Sequence, residues 1–294
     1  MMRFSPMLPV ILAAQLAGQA PAPSSDVYVY RVDRPKDGVI NITKRAGYDN
    51  QPAYLGARLA WTQQSDGQTD IYWLDHGAPK PFTTTPESEY SAALTPDGKG
   101  VAVIRVEKDS TQRLWRFPLG AGEPRPVLTD IKPVGYFAYL DETTLALFVL
   151  GNPRPNQSPS TLQIADTRTG RGVVVTTNIG RSIQHVPGGR RASFTQNVGG
   201  KTLLETVDAA PRADGTFAVD TVTTLPDSAD YVVWRSPSIA YAGAGSRLME
   251  YHVKSREWTV LADLSAQGIH HISRLALSPD KLQIAFVADE PTKP

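Results

Sequence analysis

The sequence predicts an all-β protein folded as a six-bladed β-propeller, in which strands from both chain ends complete one blade. Three observations carry this prediction. A strand–turn–strand pattern recurs six times at a spacing of roughly 45 residues, the length of a four-stranded propeller blade. The chain contains 23 Gly and 24 Pro, as expected of a fold with many turns. Each chain end supplies only part of a blade.

The recurring pattern is a hairpin whose turn is built on Pro-Asp. Its clearest copies are Ala93–Ile104 and Ala276–Val287. Proline presets φ at the second turn position, and the aspartate side chain caps the amides that follow. The other copies lack the Pro-Asp pair and begin at Ala53, Ala138, His185 and Val232.

Each copy is followed by a second hairpin of alternating apolar residues, bounded by Gly and Pro. Asp70–Leu74 with Pro81–Thr83 is one example, and Leu114–Phe117 with Pro126–Thr129 is another. Alternation over such short runs is the signature of half-buried strands. Two hairpins in each period therefore predict a four-stranded blade.

The two chain ends complement each other. The sixth copy supplies two strands before the chain stops at Pro294, and the runs Asp26–Tyr30 and Gly38–Thr43 supply the missing pair. A blade shared between the two ends closes the ring and leaves no free sheet edge at the seam. We therefore expect the propeller to span residues 26–294.

Residues 1–20 have the pattern of a secretory signal peptide. Arg3 is followed by the apolar stretch Phe4–Ala17 and then by the small-residue run Gly18–Ala20. The apolar stretch is shorter than the ~20 residues that a membrane-spanning helix needs. The sequence therefore predicts export with cleavage near Ala20, and a periplasmic or secreted protein that does not span the membrane.

Charge and composition exclude several function classes. The chain has 30 Lys+Arg against 29 Asp+Glu, whereas nucleic-acid binding needs a field of one sign. Cysteine is absent, which excludes disulfides and thiolate metal sites. The sequence also contains no Gly-x-Ser-x-Gly motif, no phosphate-binding loop and no histidine pair with metal-ligand spacing. We therefore name no catalytic residue and expect no tightly held transition metal.

The two clearest repeats carry a family resemblance. The Leu-Thr-Pro-Asp-Gly run at residues 94–98 and the Leu-Ser-Pro-Asp run at residues 277–280 resemble the TolB-type, WD-like repeat of bacterial exported propellers. The resemblance covers residues 26–294, which indicates the propeller domain only. It implies a non-catalytic protein that binds a protein or peptide partner in the cell envelope. It also implies no cofactor, apart from an ion such as calcium that the central channel of this family sometimes holds.

A candidate binding site follows from the blade geometry, because the innermost strand of each blade lines the channel. Aligning the copies on Pro96 places two arginines, Arg181 and Arg274, at one mouth of the channel. The residues that flank them on this rim are Asp49, Glu89, Tyr90, Asp230, Tyr231 and His271. Arginine grips carboxylates bidentately, and Tyr and Arg are enriched in binding hot spots. The sequence therefore predicts a rim that recognises an acidic group. Alternatively, the rim carboxylates neutralise the arginines in a surface network that contributes under ~1 kcal/mol per pair.

The sequence is also compatible with two other functions. One is an enzyme with a channel site, such as a metal-assisted polysaccharide lyase of the oligogalacturonate type, whose propeller carries a related repeat. Such an enzyme requires several histidines that converge on the channel. Of the five histidines, His270 and His271 are expected near a mouth of the channel. The other is a protein that binds a small molecule or a glycan.

Overall fold

A computed structural model describes residues 24–151 and 158–289 of the chain. These residues form six four-stranded antiparallel sheets, the blades of a β-propeller, and their helical segments are two short 3-10 turns. The predicted signal peptide, residues 1–20, lies outside the described residues. In the described ranges, no helix is long and apolar enough to cross a membrane.

The strands of the first three blades are given from the channel outwards. The first blade contains β3 (Asp49–Leu55), β4 (Arg58–Ser65), β5 (Gln68–Asp75) and β6 (Ala78–Pro81). The second contains β7 (Ser88–Leu94), β8 (Gly100–Val106), β9 (Gln112–Pro118) and β10 (Arg125–Pro126). The third contains β11 (Val134–Tyr139), β12 (Thr144–Val149), β13 (Thr161–Asp166) and β14 (Arg171–Thr177).

The remaining blades follow the same order. The fourth contains β15 (Ile179–Val186), β16 (Arg191–Val198), β17 (Lys201–Asp208) and β18 (Val219–Thr224). The fifth contains β19 (Val232–Ser236), β20 (Ile239–Ala244), β21 (Arg247–His252) and β22 (Glu257–Asp263). The sixth contains β23 (Ile272–Leu277), β24 (Gln283–Asp289), β1 (Ser25–Arg31) and β2 (Val39–Asn41).

The sixth blade confirms that both chain ends share one sheet. Strand β1 pairs with β24 along its whole length, from Ser25 opposite Asp289 to Arg31 opposite Gln283. The side chain of Val27 is fully buried, between the sixth and first blades. The N-terminal strand therefore closes the ring, and it does so mainly through apolar burial and a continuous ladder.

The Pro-Asp turns form as the sequence predicts. The Asp97 carboxylate accepts a 3.0 Å hydrogen bond from the Lys99 amide, and the Asp280 carboxylate accepts one of the same length from the Leu282 amide. Each aspartate thus caps the backbone where the chain reverses between the first and second strands of its blade.

Apolar clusters lie between neighbouring blades and hold the ring together. Trp61 fills the space between the first and sixth blades, and Tyr241 and Phe286 pack between the fifth and sixth. All three side chains are fully buried. Blade stacking, rather than any single sheet, therefore provides the core, because each sheet alone would expose both of its faces.

The inner strands contain β-bulges near the mouth where these strands begin. The register shifts between Asn50 and Ala53, between Tyr90 and Ala93, and between Ser273 and Ala276. A bulge inserts one extra residue and re-aims the side chains around it. The extra residues in these three strands are Gln51, Ser91 and Arg274. All three have a positive φ, of 51°, 54° and 47° respectively. The bulges therefore set which side chains enter the channel.

Candidate functional site

The central channel contains a cavity of about 330 Å³ that the inner strands of all six blades line. Its charged side chains are Arg181 and Arg274. No aspartate or glutamate is among the described residues that line it. The cavity is therefore a cationic chamber, in a size range typical of ligand pockets, ~300–1,000 Å³.

Arg274 extends across this chamber. Its Nη2 atom donates a 2.8 Å hydrogen bond to the hydroxyl of Tyr136, which belongs to the opposite blade. The guanidinium carbon lies 4.2 Å from the ring centroid of Tyr231 and 4.9 Å from that of Tyr136. Both rings attract the cation through their π faces. Arg274 is thus held between two tyrosines at a fixed position.

No carboxylate of the described chain lies within the 4.0 Å of Arg274 that defines an ion pair. A guanidinium has five N–H donors, and the bond to Tyr136 uses one of them. Burial lowers the pKa of Arg274, but the hydroxyls of Tyr136, Tyr231 and Tyr48 outweigh it and raise the pKa above its ordinary value. The chamber therefore holds a permanent positive charge with donors to spare.

Two of the surrounding tyrosines, Tyr231 and Tyr48, keep their protons. Burial raises the pKa of Tyr231 to about 12, although the nearby positive charges of Arg274 and Arg181 act in the opposite direction. Burial also raises the pKa of Tyr48, which lies just before β3, and the phenols of Tyr136 and Tyr90 add to that shift. The phenols of Tyr231 and Tyr48 are therefore neutral at physiological pH and are not counter-ions to the arginine.

Arg181 is the second cation of the chamber. It lies on the inner strand β15, is half-buried, and lines the same cavity as Arg274. Within the described ranges it takes part in no ion pair. The structure therefore brings together the two arginines that the sequence placed at one mouth.

Two of the predicted rim carboxylates point away from the arginines of the channel. Asp49 is fully buried, and its two carboxylate oxygens each accept a 3.0 Å hydrogen bond from Nη1 of Arg45. Burial raises the pKa of Asp49 to about 6, against the opposing effect of Arg45. Glu89 is also fully buried, and it accepts a 2.9 Å hydrogen bond from Nε of Arg105. Burial raises its pKa as well. Neither carboxylate neutralises Arg181 or Arg274.

The other predicted rim residues lie around the same mouth. Asp230 is exposed directly before Tyr231, and its charge acts on the Tyr231 phenol. His271 is exposed and lies 3.5 Å from the Asp289 carboxylate. Tyr90, on β7, is half-buried. Their role in recognition stays a prediction.

Sequence alignment missed Tyr136 and Tyr48. The alignment placed Gly135 at the level of Ser91, but the bulge in β11 lies between Val134 and Tyr136, so the tyrosine enters the cavity instead. Tyr48 lies outside the strand pattern, immediately before β3. The available signal for Tyr136 was that it directly follows the aligned position Gly135, whereas Tyr48 is three residues before the aligned position Gln51.

The bulges also link neighbouring blades at this mouth. Gln51 Oε1 accepts a 2.9 Å hydrogen bond from the Ser91 amide, and Ser182 Oγ accepts one of 3.1 Å from the Val232 amide. The freed amide of one inner strand is thus satisfied by a side chain of the preceding blade. These links fix the mouth against its neighbours. In the part of the chain that the structure describes, no three His, Asp or Glu side chains converge as a metal-binding group.

Neither a protein-family model nor a curated protein sequence matches the chain. Solved structures do match. A TolB candidate from Agrobacterium tumefaciens superimposes with a TM-score of 0.69 at 16% identity, covering 92% of this chain and 100% of that one. A gluconolactonase from Xanthomonas campestris gives 0.63 at 9% identity, covering 95% and 100%. An oligogalacturonate lyase in complex with manganese gives 0.56 at 13% identity, covering 86% and 80%. At these identities the likeness concerns the fold, so the chain has a TolB-like six-bladed β-propeller fold.

Proposed function

We propose that this chain is an exported, non-catalytic propeller that binds a protein or peptide partner in the cell envelope through an acidic group of that partner. The observation that carries the proposal is Arg274, a charged guanidinium inside the channel with no carboxylate partner among the described residues. The TolB-like fold supports the same class of function. The apolar stretch at residues 4–17 supports export.

An uncompensated cation inside a protein is energetically costly. Even after relaxation, removing a charge from water costs several kcal/mol when no opposite charge replaces the water. A ligand carboxylate that enters the channel recovers part of that energy as binding affinity, because the guanidinium is already half-buried and oriented. Arg274 is thus better explained as a receptor group than as a stabilising one.

The surroundings of Arg274 match a recognition hot spot. Tyr231 and Tyr136 both contact the guanidinium, and the cavity around it has a volume of about 330 Å³. Tyr and Arg are the residues most enriched in hot spots, and pre-organised side chains lose little entropy on binding. The partner therefore presents a side chain or a chain end to the channel.

An enzyme is the alternative that an experiment must separate. A gluconolactonase and a manganese-bound oligogalacturonate lyase share the fold with this chain. An enzyme would turn over a substrate in the channel, whereas a binding protein would retain its partner without changing it.

The test measures partner affinity for the wild type and for an Arg181→Ala, Arg274→Ala double variant, with a partner isolated from envelope extract. We expect the double variant to lose at least ~2 kcal/mol of affinity with little change in its melting temperature. Arg171→Ala is the matched control, because Arg171 is exposed on the outer strand β14. Unchanged affinity in the double variant, or catalytic turnover of a lactone or an oligogalacturonate by the wild type, would refute the proposal.

A further inference from the structure

The channel lining does not fit a divalent cation. Calcium takes six to eight oxygen ligands and favours carboxylates. The cavity instead has two arginines, and aspartate and glutamate are missing from its described lining. The nearby carboxylates of Asp49 and Glu89 are fully buried against Arg45 and Arg105. The calcium ion that the family resemblance implies therefore has no suitable ligand set in this channel.

We infer that the channel is instead a receptor for a pair of carboxylates on one ligand, with one carboxylate bound by Arg274 and the other by Arg181. The inference rests on the proposed function, which assigns recognition of an acidic group to this channel, and it specifies the chemistry of that group. The same chemistry has two sources, a free dicarboxylic acid and a peptide that ends in aspartate or glutamate.

The first half of the receptor is the free edge of Arg274. The Tyr231 ring lies 4.2 Å from the guanidinium carbon, and the Tyr136 hydroxyl accepts a hydrogen bond from one of the five N–H groups. What remains are in-plane donors, which match the two oxygens of a carboxylate in a bidentate arrangement. The geometry thus favours a planar carboxylate.

The second half of the receptor is Arg181, which gives the chamber a second positive charge. The two arginines line one cavity, and Tyr231 lies within electrostatic reach of both. A ligand with one negative charge leaves one guanidinium without a counter-charge, and the two cations then continue to repel each other across the cavity. A ligand with two carboxylates removes both penalties.

The walls and volume limit what joins the two carboxylates. The inner strands contribute Ala53, Ala93, Ala138 and Ala276 to the lining, so methyl groups form much of the wall. The cavity volume of about 330 Å³ is at the lower end of the ~300–1,000 Å³ range of ligand pockets. This space accommodates a short methylene spacer or one terminal residue. A C-terminal aspartate or glutamate satisfies this limit, because its side chain and its terminus each supply a carboxylate.

The experiment is isothermal titration calorimetry of the purified protein with five probes at one ionic strength. The probes are glutarate, the monoacid butyrate, a short peptide ending in glutamate, the same peptide with its C-terminus amidated, and calcium chloride. We expect each diacid to bind at least tenfold more tightly than its monoacid counterpart, and calcium not to bind. Equal affinity for diacid and monoacid, or stoichiometric calcium binding in the channel, would overturn the inference.

Two variants assign the two carboxylates. Arg181→Gln should lower diacid affinity to the monoacid level while leaving monoacid affinity within twofold, because Arg274 still holds one carboxylate. Arg274→Gln should lower the affinity for both, and Arg171→Gln should change neither. If both channel variants still prefer the diacid to the monoacid, the inference is wrong. If Arg274→Gln does not fold, the result for Arg181→Gln alone tests the inference.

The outcomes separate this inference from the proposed function. If the glutamate peptide and its amidated form bind equally well, the channel recognises a single acidic group, so the proposed function stands and the pair is wrong. If glutarate binds and both peptides fail, the carboxylate pair stands and the ligand is a small molecule rather than a partner protein. If no acidic probe binds, both are wrong.

Discussion

The Nη2 atom of Arg274 and the hydroxyl of Tyr136 meet at 2.8 Å in the middle of the channel. The two residues are on opposite blades, because β23 belongs to the sixth blade and β11 to the third. This contact crosses the ring and holds the guanidinium away from its own blade. It also leaves the phenol of Tyr136 as the one described acceptor of the Arg274 guanidinium.

Removing the hydroxyl of Tyr136 should loosen Arg274 without unfolding the protein. In Tyr136→Phe the ring remains and so does the cation–π contact at 4.9 Å, but the hydrogen bond that fixes the guanidinium is lost. A hydrogen bond to a charged group contributes ~1.5–3 kcal/mol to stability. Only the part of this energy that orients Arg274 affects ligand binding. We expect acidic ligands to bind about fivefold more weakly, a loss of ~1 kcal/mol, with a melting temperature within ~2 °C of the wild type.

Calorimetric titration and thermal unfolding of the same samples check this prediction. Tyr139→Phe is the control, because Tyr139 also lies on β11 and lines the cavity but makes no hydrogen bond to Arg274. Equal losses of affinity in both variants would show that the Arg274–Tyr136 contact plays no special part.

Removing the N-terminal strands should unfold the ring. Deleting residues 26–44 removes most of β1 and all of β2, including the buried side chains of Val27, Tyr28 and Tyr30. Burial of each such side chain contributes roughly 1.5–3 kcal/mol, and the deletion also leaves the edge of β24 that faces β1 unpaired. We expect cooperative unfolding to be lost, or the melting temperature to fall by more than ~10 °C. A deletion of residues 1–23 is the control and should melt like the full chain. If the larger deletion melts cooperatively within a few degrees of that control, closure by the N-terminal strands is wrong.

Gln51 should stabilise the contact between the first two blades. Its Oε1 accepts hydrogen bonds of 2.9 Å from the Ser91 amide and from the Thr62 hydroxyl. In Gln51→Ala the Thr62 hydroxyl loses this acceptor and the Ser91 amide keeps only its 3.3 Å bond to Thr62 Oγ1, at a cost of ~1–3 kcal/mol in the free energy of unfolding. Ser91→Ala is the control. Ser91 has a positive φ similar to that of Gln51, and the substitution removes a buried hydroxyl that has no partner in the described chain. Urea denaturation of the two variants should show the larger loss for Gln51→Ala, and the reverse order would contradict the role of this link.

Asp49 should make the protein less stable as the pH rises from about 4 to 6. Its pKa is raised by burial to about 6, above its ordinary value, with Arg45 opposing the shift and the neighbouring charge of Asp26 adding to it. The native state therefore binds the proton more tightly than the unfolded state, and stability falls as pH passes from the unfolded pKa to the folded one. At ~1.4 kcal/mol per pH unit, this contribution is on the order of 2–3 kcal/mol.

The comparison of wild type with Asp49→Asn isolates this effect from other carboxyl groups. The asparagine does not titrate, so the free energy of unfolding of the variant relative to that of the wild type should increase between pH 4 and pH 7. Denaturant unfolding at four or five pH values measures it. Two parallel curves would mean that Asp49 titrates alike in both states, with its ion pair to Arg45 offsetting its burial.

The sequence by itself determined the blades and how the ring closes. Both rest on local physics: alternation of apolar residues defines a strand, a Pro-Asp turn ends it, and a fixed period stacks identical units. The partial blades at Asp26–Tyr30 and His271–Val287 had to pair with each other, because an open edge there would stay exposed. Arg181 and Arg274 were also placed at one mouth, since a period locates residues along equivalent strands.

Only the tertiary structure decided which side chains meet in the channel. Tyr136 and Arg274 are 138 residues apart, and no local pattern states that a side chain from one blade reaches the opposite one. Asp49 and Glu89 turn toward Arg45 and Arg105 because blade packing buries them there. The bulges shift individual strands by one residue and so decide whether a glycine or its neighbouring tyrosine faces the cavity. Side-chain convergence at the axis depends on all six blades at once, whereas each strand depends mainly on its own few residues.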